Sequence, residues 1–570
     1  MSRWMQYRLK ADFNTIGNRY NISDVIARII FNRGIHNDRD FNMYVNGSMK
    51  DLHDPHLLKD SDKAVDILKE KIKAYRRIRI IGDYDIDGIC STYILYKGLI
   101  TAGAQADYAI PHRINDGYGI NIELIDEAVR DGIDTIITCD NGISAYDEIK
   151  YAKDNGITVI ITDHHQIPVE IVNGEKVFKI PMAHAVINPH LPDCKYPYKE
   201  LCGAGVAYKL ITLLFMSLGL DMTHLEEYAE FAAIATVGDL VELKDENRII
   251  VKYGLKHIVG TKNIGLRALI EICGIDINNL SAYHVGFVFG PCLNASGRLS
   301  SATDALEMLL STDRNESLIK AQSLRNLNEE RKELTEQGSN EGLSLVENTD
   351  LKNDKVLVVY LPDVHESIAG LIAGRIKEVY YKPTIVLTKG KEGVKGSARS
   401  IEGYDIAAEL GKCKGLLTKF GGHPMAAGLS LPEENIEMLR KKLNENITLK
   451  EEDFIPKIWI DDDSATAYSD MKFISQLEIL EPYGVGNSKP FFAARNMLVK
   501  MVRMVGRNHN VMHINLEDEY GKQVKGVIFN ATQAEMPEIG STIQVVYYPS
   551  LNQYMGNVSI DMIIKEWRRQ

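Results

Sequence analysis

The 570-residue chain has no long apolar run. The longest, Gly205 to Leu220, is interrupted by Lys209 and is too short to span a bilayer, so no membrane role is expected. The chain has no C-x-x-C pair. Its seven cysteines stand at 90, 139, 194, 202, 273, 292 and 413, an odd, scattered set that implies neither a disulfide framework nor a zinc knuckle and fits a reducing cytosol. The first residues, Met1 to Phe13, are polar and charged, unlike a signal peptide, and a cytoplasmic location is expected. Positive charge is also in short supply: 66 Lys and Arg stand against 78 Asp and Glu, a net charge of −12. The surface as a whole does not attract polyanions, so any nucleic-acid site must be a local basic groove.

The chain is too long for one core, and its length predicts three or four domains at ~150 residues each. After a helical preamble, short β-branched runs alternate with helical patterns. Strands are expected at Ile78–Ile81, Asp107–Ile110, Thr135–Thr138, Thr158–Thr162 and Ala185–Ile187. The alternation predicts a parallel, doubly wound α/β sheet, whose ligands bind beyond the carboxyl ends of its strands.

Those strand ends are acidic. The first runs into Asp83-Tyr84-Asp85-Ile86-Asp87-Gly88, where an extended chain would put three carboxylates on one side. Others run into Asp140-Asn141-Gly142 and Asp163-His164-His165, and a small-residue helical run ends at Gly238-Asp239. One acidic end reads as a helix cap. Several in one sheet, with adjacent histidines, read as a site for two hard cations such as Mg²⁺ or Mn²⁺.

These four motifs, in order and approximate spacing, resemble those of the DHH phosphoesterases. Pro111-His112-Arg113, Gly117-Tyr118-Gly119, Asn294 to Leu299 (NASGRL) and Gly421 to Gly428 (GGHPMAAG) resemble the RecJ branch of that family, bacterial exonucleases specific for single-stranded DNA. The resemblance covers nearly the whole chain. It implies a helical segment over 1–50, a DHH catalytic domain over 51–311, a connecting helix over 312–347, a smaller α/β DHH-associated domain over 348–450 and a β-barrel of the OB-fold over 451–570. It also implies metal-dependent 5′ to 3′ release of 5′-mononucleotides in DNA repair and recombination. Asp85, Asp87, Asp140, His164 and Asp239 are the expected ligands of two Mn²⁺ or Mg²⁺ ions, with Asp140 between them. His165 is expected on a phosphate oxygen, Asp163 as support for a histidine, and Asp83 as a supporting or weak ligand. By resemblance Arg113, Tyr118, Ser397 and Arg399 hold the 5′ end, and Arg298 and His423 the reacting phosphate region. A monomer is expected, with a single-strand-binding protein and a RecQ-type helicase as partners.

The later segments carry their own signals. Lys382 to Phe420 holds eight Lys or Arg against four acids, with Gly396-Ser397-Ala398-Arg399-Ser400 offering a hydroxyl and a guanidinium near flexible backbone. Pro482 to Leu516 has five basic residues (Lys489, Arg495, Lys500, Arg503, Arg507) and no acid. With Phe491, Phe492, Tyr547, Tyr548 and Tyr554 nearby, this is the composition that holds single strands without sequence preference, although Phe491 and Phe492 also suit a core. Rival readings are a DHH phosphodiesterase of short oligonucleotides or cyclic dinucleotides, a non-catalytic replication scaffold, and a purely structural single-strand-binding protein.

Overall fold

The computed structural model describes residues 2–113, 117–172, 175–390, 393–463, 471–506, 509–554 and 557–570. Arg507 lies outside them, as does the side chain of Tyr554. The chain divides into two compact units: a larger one of residues 4–263, 275–290 and 458–570, and a smaller one of residues 264–274 and 291–457 with the first three residues.

The larger unit is built on five parallel strands, β1 (Arg77–Ile81), β2 (Gln105–Ala109), β3 (Thr135–Cys139), β4 (Thr158–Thr162) and β5 (Ala185–Ile187), in the order β2-β1-β3-β4-β5. β3 and β4 are nearly continuous runs of Ile, Val and Thr because helices cover both of their faces, while β1 carries Arg77 and the buried Arg79, which pairs with Asp107. The chain winds outward one way from β1 through β2, then the other way from β3. The order therefore reverses between β1 and β3, where an open α/β sheet leaves a crevice. Helix α1 (Ile86–Thr101) follows β1, α2 (Gly203–Leu218) is apolar but for Lys209, and α3 (His224–Gly238) is apolar from Phe231 onward, its glutamates lying in the first half. Such helices belong in a core. Lys209, the charge within α2, is 2% exposed and pairs with Glu246 at 2.7 Å. Among the described residues no helix is long and apolar enough to cross a membrane.

The same unit contains a closed five-stranded barrel from Phe492–Val505 to Asn557–Arg569. Its core is shared with the N-terminal helices: Ile26, Ile29, Ile30, Phe41 and Tyr44 belong to one buried cluster with Phe492, Ile514, Ile543, Val545 and Tyr547. Phe492 and Tyr547 are wholly buried there, so neither is available to a strand, and Phe491 is partly buried against a smaller cluster. Arg248 joins the barrel's approach to the sheet domain. Its guanidinium donates to the carbonyls of Tyr44 (3.2 Å), Leu480 (3.0 Å) and Ile479 (2.6 Å) and lies over the Tyr44 ring.

In the smaller unit, α4 (Ile264–Ile272) and α5 (Gly290–Leu299, all but its first residue in this unit) lead into the 35-residue helix α6 (Arg314–Asn348). Then come β6 (Leu357–Tyr360), α7 (Ala369–Tyr380), β7 (Thr384–Gly390), β8 (Gly393–Arg399), β9 (Lys419–His423) and β10 (Ala426–Leu431). The sheet order is β9-β10-β8-β7-β6, and only β6 and β7 are parallel. The Gly396 to Arg399 stretch, expected to be flexible, is a strand paired on both sides.

Candidate metal centre

The acids meet at the reversal between β1 and β3. After Ile81 the chain does not stay extended, so alternation is not what gathers Asp83, Asp85 and Asp87. Asp85 instead caps α1, its Oδ1 accepting from the N–H groups of Asp87 (2.9 Å) and Gly88 (3.1 Å). Asp87 thereby falls in the first helical turn, fully buried. Its carboxylate accepts from the N–H groups of Gly203 (2.6 Å) and Ala204 (2.7 Å), the positive end of α2. A Cβ on Gly88 would lie 2.2 Å from the Asp83 carbonyl oxygen, so the turn closes only around glycine there.

Asp140 follows β3 in the left-handed region, φ +60°, which an L residue other than Asn or Asp adopts with difficulty. Asn141 holds that turn. Its Nδ2 donates to the carbonyls of Ile81 (3.1 Å) and Cys139 (2.9 Å), and its Oδ1 accepts from Ile120 N–H (3.1 Å), tying β1, β3 and the segment after Gly119 together. Asp163, after β4, is buried. It accepts from the N–H groups of Ile143 (2.9 Å), His164 (2.7 Å) and His165 (3.1 Å) and from His165 Nδ1 (2.8 Å). Asp239 caps the end of α3.

Three overlapping triads result, each with its ligating atoms within 4.8 Å of one another: Asp140, His164 and His165; Asp87, His164 and Asp239; and Asp83, Asp85 and Asp140. Asp140 and His164 each belong to two of them. His164 Nε2 is 3.0 Å from Asp140 Oδ1, 3.5 Å from Asp87 Oδ2 and 3.8 Å from Asp239 Oδ2. Yet Asp83 Oδ1, Asp140 Oδ1 and His164 Nε2 are buried atoms without a hydrogen-bond partner. Orphaned carboxylate oxygens and an imidazole nitrogen aimed at one another are the donor set of a hard divalent cation.

Electrostatics say the same. Burial, then the neighbouring carboxylates, push Asp83, Asp140 and Asp239 well above the usual carboxylate range. Burial and Asp85 raise Asp87 to about 6, against the pull of the Ala204 and Gly203 N–H groups. Burial would raise Asp163 as well, but the charge and hydrogen bond of His165, with His164, hold it at about 2. Burial and the charge of His165 keep His164 neutral, down at about 3, the form that ligates a metal. Burial would lower His165, but Asp163 outweighs it and carries the imidazole up to about 9.

The expected substrate residues fall into two groups. Tyr118 and Arg113 lie beside the acids. Tyr118 Oη donates to the Asp140 carbonyl (2.7 Å), its ring stands edge-on to those of His165 and Tyr84, and the Arg113 guanidinium lies over Tyr84 at 4.9 Å. Arg298, Ser397, Arg399 and His423 belong to the smaller unit. Ser397 and Arg399 share one face of β8, opposite buried Ala398. A Cβ on Gly370, in the first turn of α7, would lie 3.4 Å from Ser397 Cβ and 2.8 Å from Arg399 Nη2. Arg298 Nη1 donates to the Ser367 carbonyl just before that turn (2.8 Å). Three of the four thus meet at a helix N-terminus, an arrangement suited to a phosphate. His423 ends the edge strand β9, two strands or roughly 10 Å from Arg399.

Sequence reasoning missed the Gly203 and Ala204 amides that hold Asp87, and the part played by the Tyr84 ring. Cys202-Gly203 ahead of an apolar run was the signal for a helix start; nothing local said that its amides would face an aspartate 116 residues earlier.

The model for the N-terminal domain of the DHH family matches residues 77–236, that for the DHHA1 domain residues 353–449, and that for the RecJ OB domain residues 460–566. The single-stranded-DNA-specific exonuclease RecJ of Escherichia coli is 32% identical, the alignment covering 99% of each chain. The chain belongs to the RecJ family. The RecJ of Bacillus subtilis is 34% identical over 99% of this chain and 70% of that protein. The crystal structure of RecJ from Thermus thermophilus in complex with Mn²⁺ is similar at a TM-score of 0.84 and 27% identity, covering all of this chain and 80% of that one; the Mg²⁺ complex gives 0.79.

Proposed function

We propose that this chain is a metal-dependent exonuclease specific for single-stranded DNA, releasing 5′-mononucleotides in the 5′ to 3′ direction during repair and recombination. The observation that carries this reading is the cluster of buried acids around Asp140 and His164, with its orphaned ligand atoms, in a chain similar to RecJ over almost its full length. Asp85, Asp87, Asp140, His164 and Asp239, with Asp83 beside them, would hold two Mn²⁺ or Mg²⁺ ions. Bound there, such ions supply Lewis acidity toward water and the phosphate ester.

The chain's own residues do the rest. Asp163 fixes His165 through Nδ1 and keeps it charged, so its other ring nitrogen donates to a phosphate oxygen as negative charge builds. Asn141 holds Asp140 in its left-handed turn, so the ligands are positioned before the substrate arrives. Ser397, Arg399 and Arg298, at the start of α7, hold a terminal phosphate, and an anchored 5′ phosphate makes removal directional. Tyr118 and Arg113 line the approach to the acids. A single-strand-binding protein and a RecQ-type helicase belong to this proposal as partners.

The test gives a long 5′-phosphorylated single strand to wild type and to Asp140→Ala with Mn²⁺, Mg²⁺ or EDTA. Mononucleotide release is expected from wild type with metal alone, and Asp140→Ala should lose at least ~10³-fold. Release in EDTA would overturn the metal role. Equal turnover of a dinucleotide and a long strand would favour the short-oligonucleotide reading.

A further inference from the structure

Two cysteines sit where the chain leaves the smaller unit and returns to it. Cys273 follows the last residue of α4, and Cys292 is the third residue of α5. Residues 275–290, between them, belong to the larger unit. Their sulfurs are 3.9 Å apart. A disulfide needs about 2.05 Å, so side-chain rotation and a small shift of the helix ends would close the gap. We propose that Cys273 and Cys292 form a reversible disulfide under peroxide, drawing the start of α5 toward the end of α4 and slowing the enzyme.

The surroundings divide the work between the two sulfurs. Cys273 is the one cysteine of the seven that is not buried. Its hydrogen bond with Cys292 brings its thiol below the usual range; burial opposes this, and Arg325 and Lys332 of α6 add to it. Cys292 is 1% exposed, and that same hydrogen bond, with burial, pushes its thiol up. The proton of the pair therefore rests on Cys292. Cys90, Cys139, Cys202 and Cys413 are buried, and burial pushes each of their thiols up. They are poor nucleophiles.

The step balances. The Cys273 thiolate attacks one oxygen of hydrogen peroxide, the O–O bond breaks, and the departing hydroxide takes a proton to leave as water, giving a sulfenic acid. The Cys292 sulfur attacks the Cys273 sulfur, the S–O bond breaks, and the second hydroxide takes the Cys292 proton. Two thiols lose two electrons, and one peroxide becomes two waters. A thiol reductant reverses the bond.

The effect on turnover follows from α5, which also carries Arg298 six residues after Cys292. Drawing the helix start by 1–2 Å shifts a phosphate-binding guanidinium, and misplacement of about 1 Å is enough to slow catalysis up to ~100-fold.

The test treats the full chain with hydrogen peroxide, removes it, and measures intact mass, thiol count and peptide linkage. Expected are a loss of about 2 Da, two fewer alkylatable thiols and a peptide joining Cys273 to Cys292. Turnover of a 5′-phosphorylated strand with Mn²⁺ should fall about tenfold or more, return with a phosphine reductant, and stay insensitive to peroxide in Cys273→Ser, with Cys292→Ala as the second variant. A sulfinic acid at Cys273 in place of the linkage would overturn the proposal, as would a linkage that leaves turnover unchanged. Only the turnover arm rests on the proposed nuclease function. Failure of the reduced enzyme to degrade the strand would sink that function and leave the linkage to be judged by mass.

Discussion

Asp87 and Asp163 are both buried in the same site, yet their environments drive their proton affinities apart. Asp87 shares its surroundings with Asp85, and even two backbone donors leave its carboxyl raised to about 6 from 3.8. The folded state therefore holds that proton more tightly than the unfolded chain. The group's contribution to stability is full below about pH 4 and is lost as the pH climbs through 6. Asp163, held at about 2 by His165, runs the other way: its contribution is full above about pH 4 and is lost as the pH falls through 2. In EDTA, the melting temperature of wild type should therefore fall relative to that of Asp87→Asn between pH 4 and 6.5, and Mn²⁺ at pH 7.5 should raise the wild type more than the variant. An unchanged slope in Asp87→Asn, read by thermal shift, would refute the raised carboxyl. Asp85, Asp140 and His164 were legible in the sequence because strand ends of a parallel sheet must point to one rim, whereas Asp239, at the end of α3, was legible only through its motif. The value of each carboxyl was not, because it depends on amides and charges supplied from remote segments.

At the scale of elements, the start of α2 shows where sequence reading stops. The apolar run from Gly203 announces a buried helix, but it does not say which acid meets its positive end. Gly203 is also needed for its size, since a Cβ there would lie 2.8 Å from Asp140 Cβ and 3.1 Å from Asp140 Oδ1. Gly203→Ala should shift Asp140 by a few tenths of an ångström and lower turnover about tenfold or more, with helix content intact by circular dichroism. Wild-type turnover in that variant would mean the site tolerates the shift. Period-two reasoning failed at Asp83, Asp85 and Asp87 because the helix starts at Ile86 and overrides extension. A different expectation failed at Gly396 to Arg399, where glycine suggested flexibility. There β7 and β10 on either side impose a strand, and only such a strand sets Ser397 and Arg399 on one face.

Across the whole molecule, the barrel does not stand alone. Truncation near residue 457 would uncover Ile26, Ile29, Ile30 and Phe41, so the shortened chain should aggregate rather than report on DNA binding. Point variants test the barrel instead. Lys489, Arg495, Lys500 and Arg503 are exposed, and Lys489 lies over the Tyr548 ring at 4.5 Å. Replacing any one by Gln should weaken binding to a long single strand and reduce the salt slope by about 0.7 for each phosphate no longer neutralised; an unchanged slope for all four would remove the barrel from the interface. Arg248→Met should cost on the order of 2 kcal/mol in denaturant unfolding, because it takes the shared donor from the carbonyls of Tyr44 and Ile479, while that of Leu480 keeps Asn487 Nδ2 at 2.7 Å. The barrel itself was legible from its short strands, but its dependence on the first fifty residues was not, since nothing near Ile26 names a partner more than four hundred positions later.

That dependence sets a clock on the ribosome. The helix bearing Ile26, Ile29 and Ile30 leaves the exit tunnel more than five hundred residues ahead of its partners Ile543, Val545 and Ile564. At about 5–20 residues per second the oily stripe waits roughly half a minute to two minutes for its cover. A trigger-type chaperone that shields nascent chains would find its longest assignment there, and moving the first fifty residues to the other terminus by circular permutation should shorten it.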